Sequence, residues 1–435
     1  MLRLFAIMAL LQIPNAVLAQ PDGGDPPKIV TIIHAGKLLA VPGVAPRDKQ
    51  SVIVRSNKIV GIRDGYASAG DIGAKGAAII DLKDKFVLPG LMDMHVHLQS
   101  GGGGNPMSLT DADIAFQSAV NARRTLMAGF TTVRDTGARS REGIIALRRA
   151  INRHMLPGPR IFAVGRPISA TAGHGDKRFL REDIAATLDQ SGLCDGPAAC
   201  RKAVRTQYKF GADAIKIMAS GGGSEPNGGP DSPPEMMADD MRAAVVAAHA
   251  LGLVVAAHAH GTRSIKAAIR AGVDSVEHST YMDDETIRLY LEHGTYLVPT
   301  IYLRTRYFLA SPRIPEATKE LMRRDRGRII DGMRTAFKKG VKIAMGTDAG
   351  IYPHGDNAEE IIDYVNFLGV SEMDAIKTAT VNAADLMHKS DEIGSIAAGK
   401  TADVIATDGN PLKHIEALRT VIFVMHDGRI YKGGG

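Results

Sequence analysis

Six side chains able to ligate metals stand at the ends of separate short apolar runs. They are His95 and His97 in LPGLMDMHVH, Lys216 in ADAIKIMASGG, His258 in LVVAAHAHG, His278 in VDSVEHS and Asp348 in KIAMGTDAG. Four imidazoles, one carboxylate and one lysine brought together would hold two metal ions for hydrolysis. His95 and His97 are two apart, which puts both on one face of a strand. Two buried imidazoles are costly without partners, and a metal supplies one. Lys216 is a cation inside an apolar strand, so it must either pair with an acid such as Asp213 or lose its charge, and carbamylation by CO₂ is one way to lose it. His258 ends its apolar run and is read as a ligand. His260 begins the following turn and is read as packing behind the ligands or touching substrate. Glu277, next to His278, is expected to face the opposite way, towards the helices. Asp348 follows a strand-like run and can both ligate a metal and take a proton from attacking water. The other reading of Asp348 is a helix cap.

These residues need a scaffold that gathers strand ends. From Leu88 to about His388, apolar strands alternate with helix-period segments, as parallel βα units require. The pattern predicts strands near 91–97, 130–135, 160–165, 213–218, 253–258, 273–277, 296–300 and 342–347, which fits a closed (β/α)₈ TIM barrel of the α/β class with its site at the C-terminal strand ends. The β-rich runs at 28–87 and 389–435 are expected to pair as a small β-sandwich built from both chain ends around a barrel at 88–388. The Gly/Pro-rich segments from Pro167 to Lys177 and from Gly221 to Pro234 follow strands and are expected to cover the mouth.

The chain has 435 residues, 45% hydrophobic and 23% charged, which indicates a globular protein larger than one ordinary core. Its formal net charge of +6 comes from dispersed residues, without a basic run or an aromatic-interleaved stripe, so nucleic-acid binding is not expected. Residues 1–19 read as a secretory signal: Arg3, the apolar LFAIMALLQI, then Val17-Leu18-Ala19 before Gln20. A secreted or periplasmic protein, free of the membrane once the signal is cleaved, is the expectation. The two cysteines, Cys194 and Cys200, either close a small loop or remain thiols; spacing does not decide between them.

The motifs LPGLMDMHVH, GFTTVRDTG, GADAIKIMASGG, AAHAHG, GVDSVEHS, GTDAG, TATVNAADLM and GSIAAGKTADVI together resemble the metal-dependent amidohydrolase superfamily over nearly the whole mature chain. Within it they resemble the imidazolonepropionase-like Xaa-Pro and Xaa-Arg dipeptidases (carboxypeptidases) and the ochratoxin hydrolases. The resemblance implies His95, His97 and Asp348 on one metal, His258 and His278 on a second, and Lys216 as N6-carboxylysine bridging both. It implies a hydroxide between the metals attacking a polarised carbonyl, with Asp348 passing the proton to the leaving amine. It also implies homo-oligomers, often octamers, and a dipeptide or small-molecule substrate. Zinc is the default for such ligands, and manganese or cobalt would also suit them. Deaminases of the superfamily carry H-x-x-E where this chain has His258-Ala259-His260-Gly261, and they lack the bridging lysine; a mononuclear deaminase or cyclic-amide hydrolase is therefore the weaker enzyme reading, and a binding relic the non-enzyme one.

Substrate contacts are less legible. His174 in TAGHGDK either reaches the substrate or is an exposed loop residue. Tyr281 can donate a hydrogen bond to a carboxylate or oxyanion. Arg304 or Arg306 in YLRTRYF either clamps a substrate carboxylate or is a surface charge. His354 in YPHGDN is read as a residue of the mouth.

Overall fold

The computed structural model describes residues 30–433 apart from 101–107, 179, 189, 224–228 and 313. The expected signal at 1–19 and part of the segment from Gly221 lie outside these residues. The chain opens with four β-rich strands, β1 Val30–Leu38, β2 Arg47–Arg55, β3 Lys58–Asp64 and β4 Ala78–Pro89. Seven short strands follow in the α/β region: β5 Leu91–Val96, β6 Phe130–Asp135, β7 Arg160–Ala163, β8 Ala214–Met218, β9 Val254–Ala259, β10 Ser275–His278 and β11 Tyr296–Val298. The C-terminal part adds β12 Val404–Thr407, β13 Val421–His426 and β14 Arg429–Lys432.

Both chain ends enter one mixed sheet in the order β14-β13-β12-β4-β1-β2-β3. The seam is β4 against β12, antiparallel from Val404↔Pro89 to Thr407↔Phe86. Two stacked sheets were expected; instead one continuous sheet folds over on itself. Its outer strand β3 meets the segment before β12 through a Lys58↔Thr401 bridge. Ile33, Val52, Val54, Val87, Val404 and Phe423 then fill the enclosed space. Each such burial contributes about 1.5–3 kcal/mol.

In the α/β region, β5, β6 and β7 form one parallel sheet and β8, β9, β10 and β11 another. Their strands are buried on both faces, so they read as near-continuous apolar runs rather than alternating ones. Bridges Ile168↔Ile217, Leu297↔Ile343 and Val96↔Ala349 link the two sheets on both sides. The expected eighth strand, 342–347, is an extended segment rather than a regular strand. Leu297 N–H donates to Lys342 O and Met94 N–H to Met345 O, but Met345 N–H leaves the ladder for Thr378 O.

The surrounding helices start and stop where local chemistry directs. Helix Asp111–Met127 is opened by a Thr110/Asp113 capping box and buries Ile114, Ala122 and Leu126. Helix Thr262–Ala271 ends at Gly272, whose φ of 93° suits glycine alone. Cys194 and Cys200 form a disulfide, settling the alternative left open by spacing. The 190–196 segment around it pairs with Ser169 and so braces the 167–177 loop.

Candidate active site

The C-terminal ends of β5, β8, β9 and β10, with the 342–349 segment, bring the six chemistry-bearing residues together. His95 is 2% exposed, Lys216 2% and His258, His278 and Asp348 6% each, so every charge here is set by its neighbours rather than by water. Two groups of three donors result, each with its ligand atoms within 4.8 Å of one another: His95, His97 and Asp348, and His258, His260 and His278. The groups adjoin, with the His95 and His278 ring centroids 4.9 Å apart.

In the first group, His95 Nδ1–H donates to Glu277 Oε2 at 2.7 Å and His97 Nδ1–H donates to Gly137 O at 2.9 Å. Both imidazoles therefore turn Nε2 towards Asp348 Oδ1, at 3.5 and 3.1 Å. Three acceptors facing one another over such distances repel unless a cation sits among them. The separations match ligands each about 2 Å from a shared tetrahedral ion. Burial opposes a charge on His97, but the Asp348 hydrogen bond and charge outweigh that and raise its pKa. Asp348 holds its position at a φ of 63° through its N–H to His95 O, 2.7 Å. Buried Asp93 pins the same turn, accepting from Thr347 Oγ1 at 2.6 Å and Asn357 Nδ2 at 2.7 Å.

In the second group, His258 Nε2–H donates to Gly221 O, while His278 and His260 use Nδ1 on Thr300 and Thr280. One ring nitrogen of each is left for the site. His260, expected behind the ligands or against substrate, has its ring beside those of His258 and His278, with centroids 4.7 Å from each. Burial holds His258, His260 and His278 well below the usual imidazole range, and burial with the Lys216 charge brings His95 to about 4. Neutral imidazoles are the form that binds metals. The donor set thus fits divalent cations.

Lys216 adjoins both groups: its charge acts on His95 and Asp348 in one and on His258, His260 and His278 in the other. Burial pushes its ammonium down to about 8. Asp213, the alternative partner, is instead engaged by Arg148. Among the described residues none forms an ion pair with Lys216.

Glu277 contradicts the expected outward direction. The Glu277 side chain lies on the same strand face as Ser275 and runs inward to His95, while φ of 68° and 45° at His278 and Ser279 ends the alternation, so that His278 reaches the site as well. It also accepts from Arg134 Nη2 at 2.8 Å, with both side chains fully buried. Arg134, Asp93 and Asn357 were not read as site residues. Charged residues inside the apolar runs FTTVRD and SVEH were the signal for the first pair.

The other expected contacts divide. The His174 ring stacks on His258, 4.6 Å between centroids and 17° between planes, so the 167–177 loop does cover the site. Arg304, in the π-helical turn Leu303–Tyr307, reaches His260 with Nη2 at 3.4 Å. Arg306 points away to Glu359 and Asp363. The Tyr281 hydroxyl, near Arg304, donates to Asp325 at 3.1 Å. His354 is not at the mouth. It is 4% exposed, with Nδ1 on Thr125 and Nε2 on His97 O, and it props His97 from behind.

Two adjoining donor groups at the strand ends of an α/β scaffold define a site of the metal-assisted hydrolase kind. Comparison with known proteins agrees: residues 86–431 match the amidohydrolase family model, and the chain belongs to the amidohydrolase family. It is a hydrolase of amide bonds. The ochratoxinase of Aspergillus niger is 32% identical over 441 residues, covering 93% of this chain and 87% of that protein. A crystal structure of a Xaa-Pro dipeptidase with bound methionine aligns with TM-score 0.83 and 38% identity, over 93% of this chain and 100% of that one. The imidazolonepropionase of Sphingopyxis alaskensis is 25% identical, over 81% and 87% of the two chains.

Proposed function

We propose that the protein is an exported, binuclear metal-dependent peptidase that releases the C-terminal residue from dipeptides or N-acyl amino acids, ochratoxin A among them. The convergence of His95, His97 and Asp348 as three facing acceptors carries this reading. The adjoining His258/His278 pair would hold a second ion, and Lys216, whose charge acts on both groups, would serve it as N6-carboxylysine. Two divalent cations, zinc by default, supply Lewis acidity and an acidified water when bound. Asp348 would be the group that holds the proton released on attack and hands it to the leaving amine nitrogen. Arg304 holds the substrate carboxylate, and the His174 loop keeps bulk water out. The two bridged parallel sheets are read as one eight-unit barrel, the folded-over sheet as the accessory domain and the assembly as a homo-oligomer. Among the described residues no helix is long and apolar enough to cross a membrane.

The test is metal content together with hydrolysis of Xaa-Pro, Xaa-Arg, Xaa-Phe, N-acyl-Phe and ochratoxin A. About two metals per chain and cleavage of at least one C-terminal amide are expected. Chelation should abolish that cleavage and zinc should restore it. One metal or none, with every amide left intact, refutes the reading.

The two arginines separate by kinetics. Arg304→Ala is expected to raise KM by roughly tenfold to a hundredfold, the loss of a charge-assisted pair of about 1.5–3 kcal/mol. Arg306→Ala should leave KM unchanged, since its partners are Glu359 and Asp363. Equal KM in both variants and the parent protein would remove Arg304 from the substrate.

A further inference from the structure

His95 can ligate through Nε2 only if its proton resides on Nδ1, and the residues behind it decide that. Glu277 Oε2 receives the His95 Nδ1–H at 2.7 Å. Its other oxygen, Oε1, receives Arg134 Nη2 at 2.8 Å and Ser275 Oγ at 2.6 Å. Arg134 is itself fixed, with Nε on Met94 O at 2.7 Å and Nη1 on Ser275 Oγ at 3.1 Å. Each guanidinium nitrogen of Arg134 thus has a partner, and both side chains of the pair are 0% exposed. Apolar residues of the same volume would fill such a space with equal or greater stability, so a buried ion pair is weak evidence of a stabilising role. A carboxylate only accepts, which leaves the Nδ1–H tautomer as the one that satisfies the pair.

We propose that the Arg134–Glu277 pair is a positioning device that locks His95 in its Nδ1–H tautomer and thereby sets the affinity of the first group for its cation. The inference rests on the metal-centre reading above and deepens it: a hydrogen bond behind a ligating histidine fixes which nitrogen faces the ion.

Glu277→Gln tests it with almost no change of shape. Arg134 and Ser275 would hold the glutamine carbonyl, so its amide would turn to His95 Nδ1 and donate there. The imidazole must then carry its proton on Nε2, where the ion belongs. Chelator competition, run where the metal-free variant is still folded, should show about a 10–100-fold loss of zinc affinity at one site; the variant is expected to melt below the parent, since Arg134 is left as a buried charge without its carboxylate. In ¹⁵N-histidine NMR of metal-free protein, the His95 signal, identified by its loss in His95→Asn, should show a protonated Nδ1 in the parent chain and a protonated Nε2 in Glu277→Gln. Unaltered zinc affinity in a folded Glu277→Gln protein overturns the proposal and leaves the metal centre standing. A parent protein that takes up no zinc removes the metal centre itself. If Glu277→Gln does not fold, the parent spectrum decides: a proton on Nε2 overturns the proposal.

Discussion

Asp348→Asn is expected to fold, to keep its metal and to lose about 10²–10⁴ in kcat, the usual range for a displaced general base. The backbone favours a clean experiment. Asp348 sits at a φ of 63°, a left-handed conformation that asparagine accepts as readily as aspartate and that most other residues resist. An amide oxygen can still face His95 and His97, so part of the ligand geometry survives. What is lost is the capacity to accept a proton. In the parent protein burial raises the Asp348 pKa, but the neighbouring imidazoles and Lys216 outweigh it and keep the carboxyl below its usual value, ready as a base at neutral pH. The check is kcat on whichever amide of the panel is cleaved, read beside metal content and melting temperature. A kcat within tenfold of the parent, with metal retained, would move the proton transfer to another group. His174 would be the next to test, because its ring already lies against His258 over the site.

Much of this arrangement is written in short-range pattern. Apolar runs that carry His95, Lys216, His258 and His278 mark four strands and the ends that face the site, because each is a short continuous buried run with its polar residues near its C-terminal end. The alternation fails where the backbone leaves the strand. Glu277 faces inward with Ser275, and left-handed φ at His278 and Ser279 lets its neighbour His278 reach the same site; no hydropathy pattern carries that angle. His354 was misplaced for a different reason: its partner Thr125 is 229 residues away, and only the packed helices reveal the contact. The run VKIAM looks like a strand and nearly is one, but Thr378 O competes for the Met345 N–H. Likewise strand patterns at the two chain ends predict that sheet structure forms there, while whether it stacks or folds over depends on how β4 pairs with β12. The disulfide needed a Cα separation, 4.9 Å, that spacing alone does not supply.

If Lys216 bridges two cations as proposed, Lys216→Ala is expected to lose at least one metal and more than about a hundredfold in activity, exceeding what loss of a group behind a ligand costs. The chemistry of the residue explains why lysine stands there at all. Carbamylation requires a neutral amine: its nitrogen attacks the carbon of CO₂ and gives up a proton. With its pKa pushed down to about 8, Lys216 has roughly a tenth of its amines uncharged at pH 7, against far fewer than a hundredth for a lysine in water. Burial therefore favours the nucleophilic form, and under the proposed function the carbamate it would form would carry the negative charge that a bridge between two cations needs. Removing the side chain leaves a buried gap between the two donor groups. Formate or acetate can enter such a gap and supply the missing carboxylate, so added short-chain acids should restore part of the activity to Lys216→Ala. They should restore none to Lys216→Met, whose thioether fills the space without offering a charge. Full metal content and parent-level activity in Lys216→Ala would mean that the lysine bridges nothing. Rescue of Lys216→Met to the same extent as Lys216→Ala would mean that the acids act somewhere other than the vacated bridge.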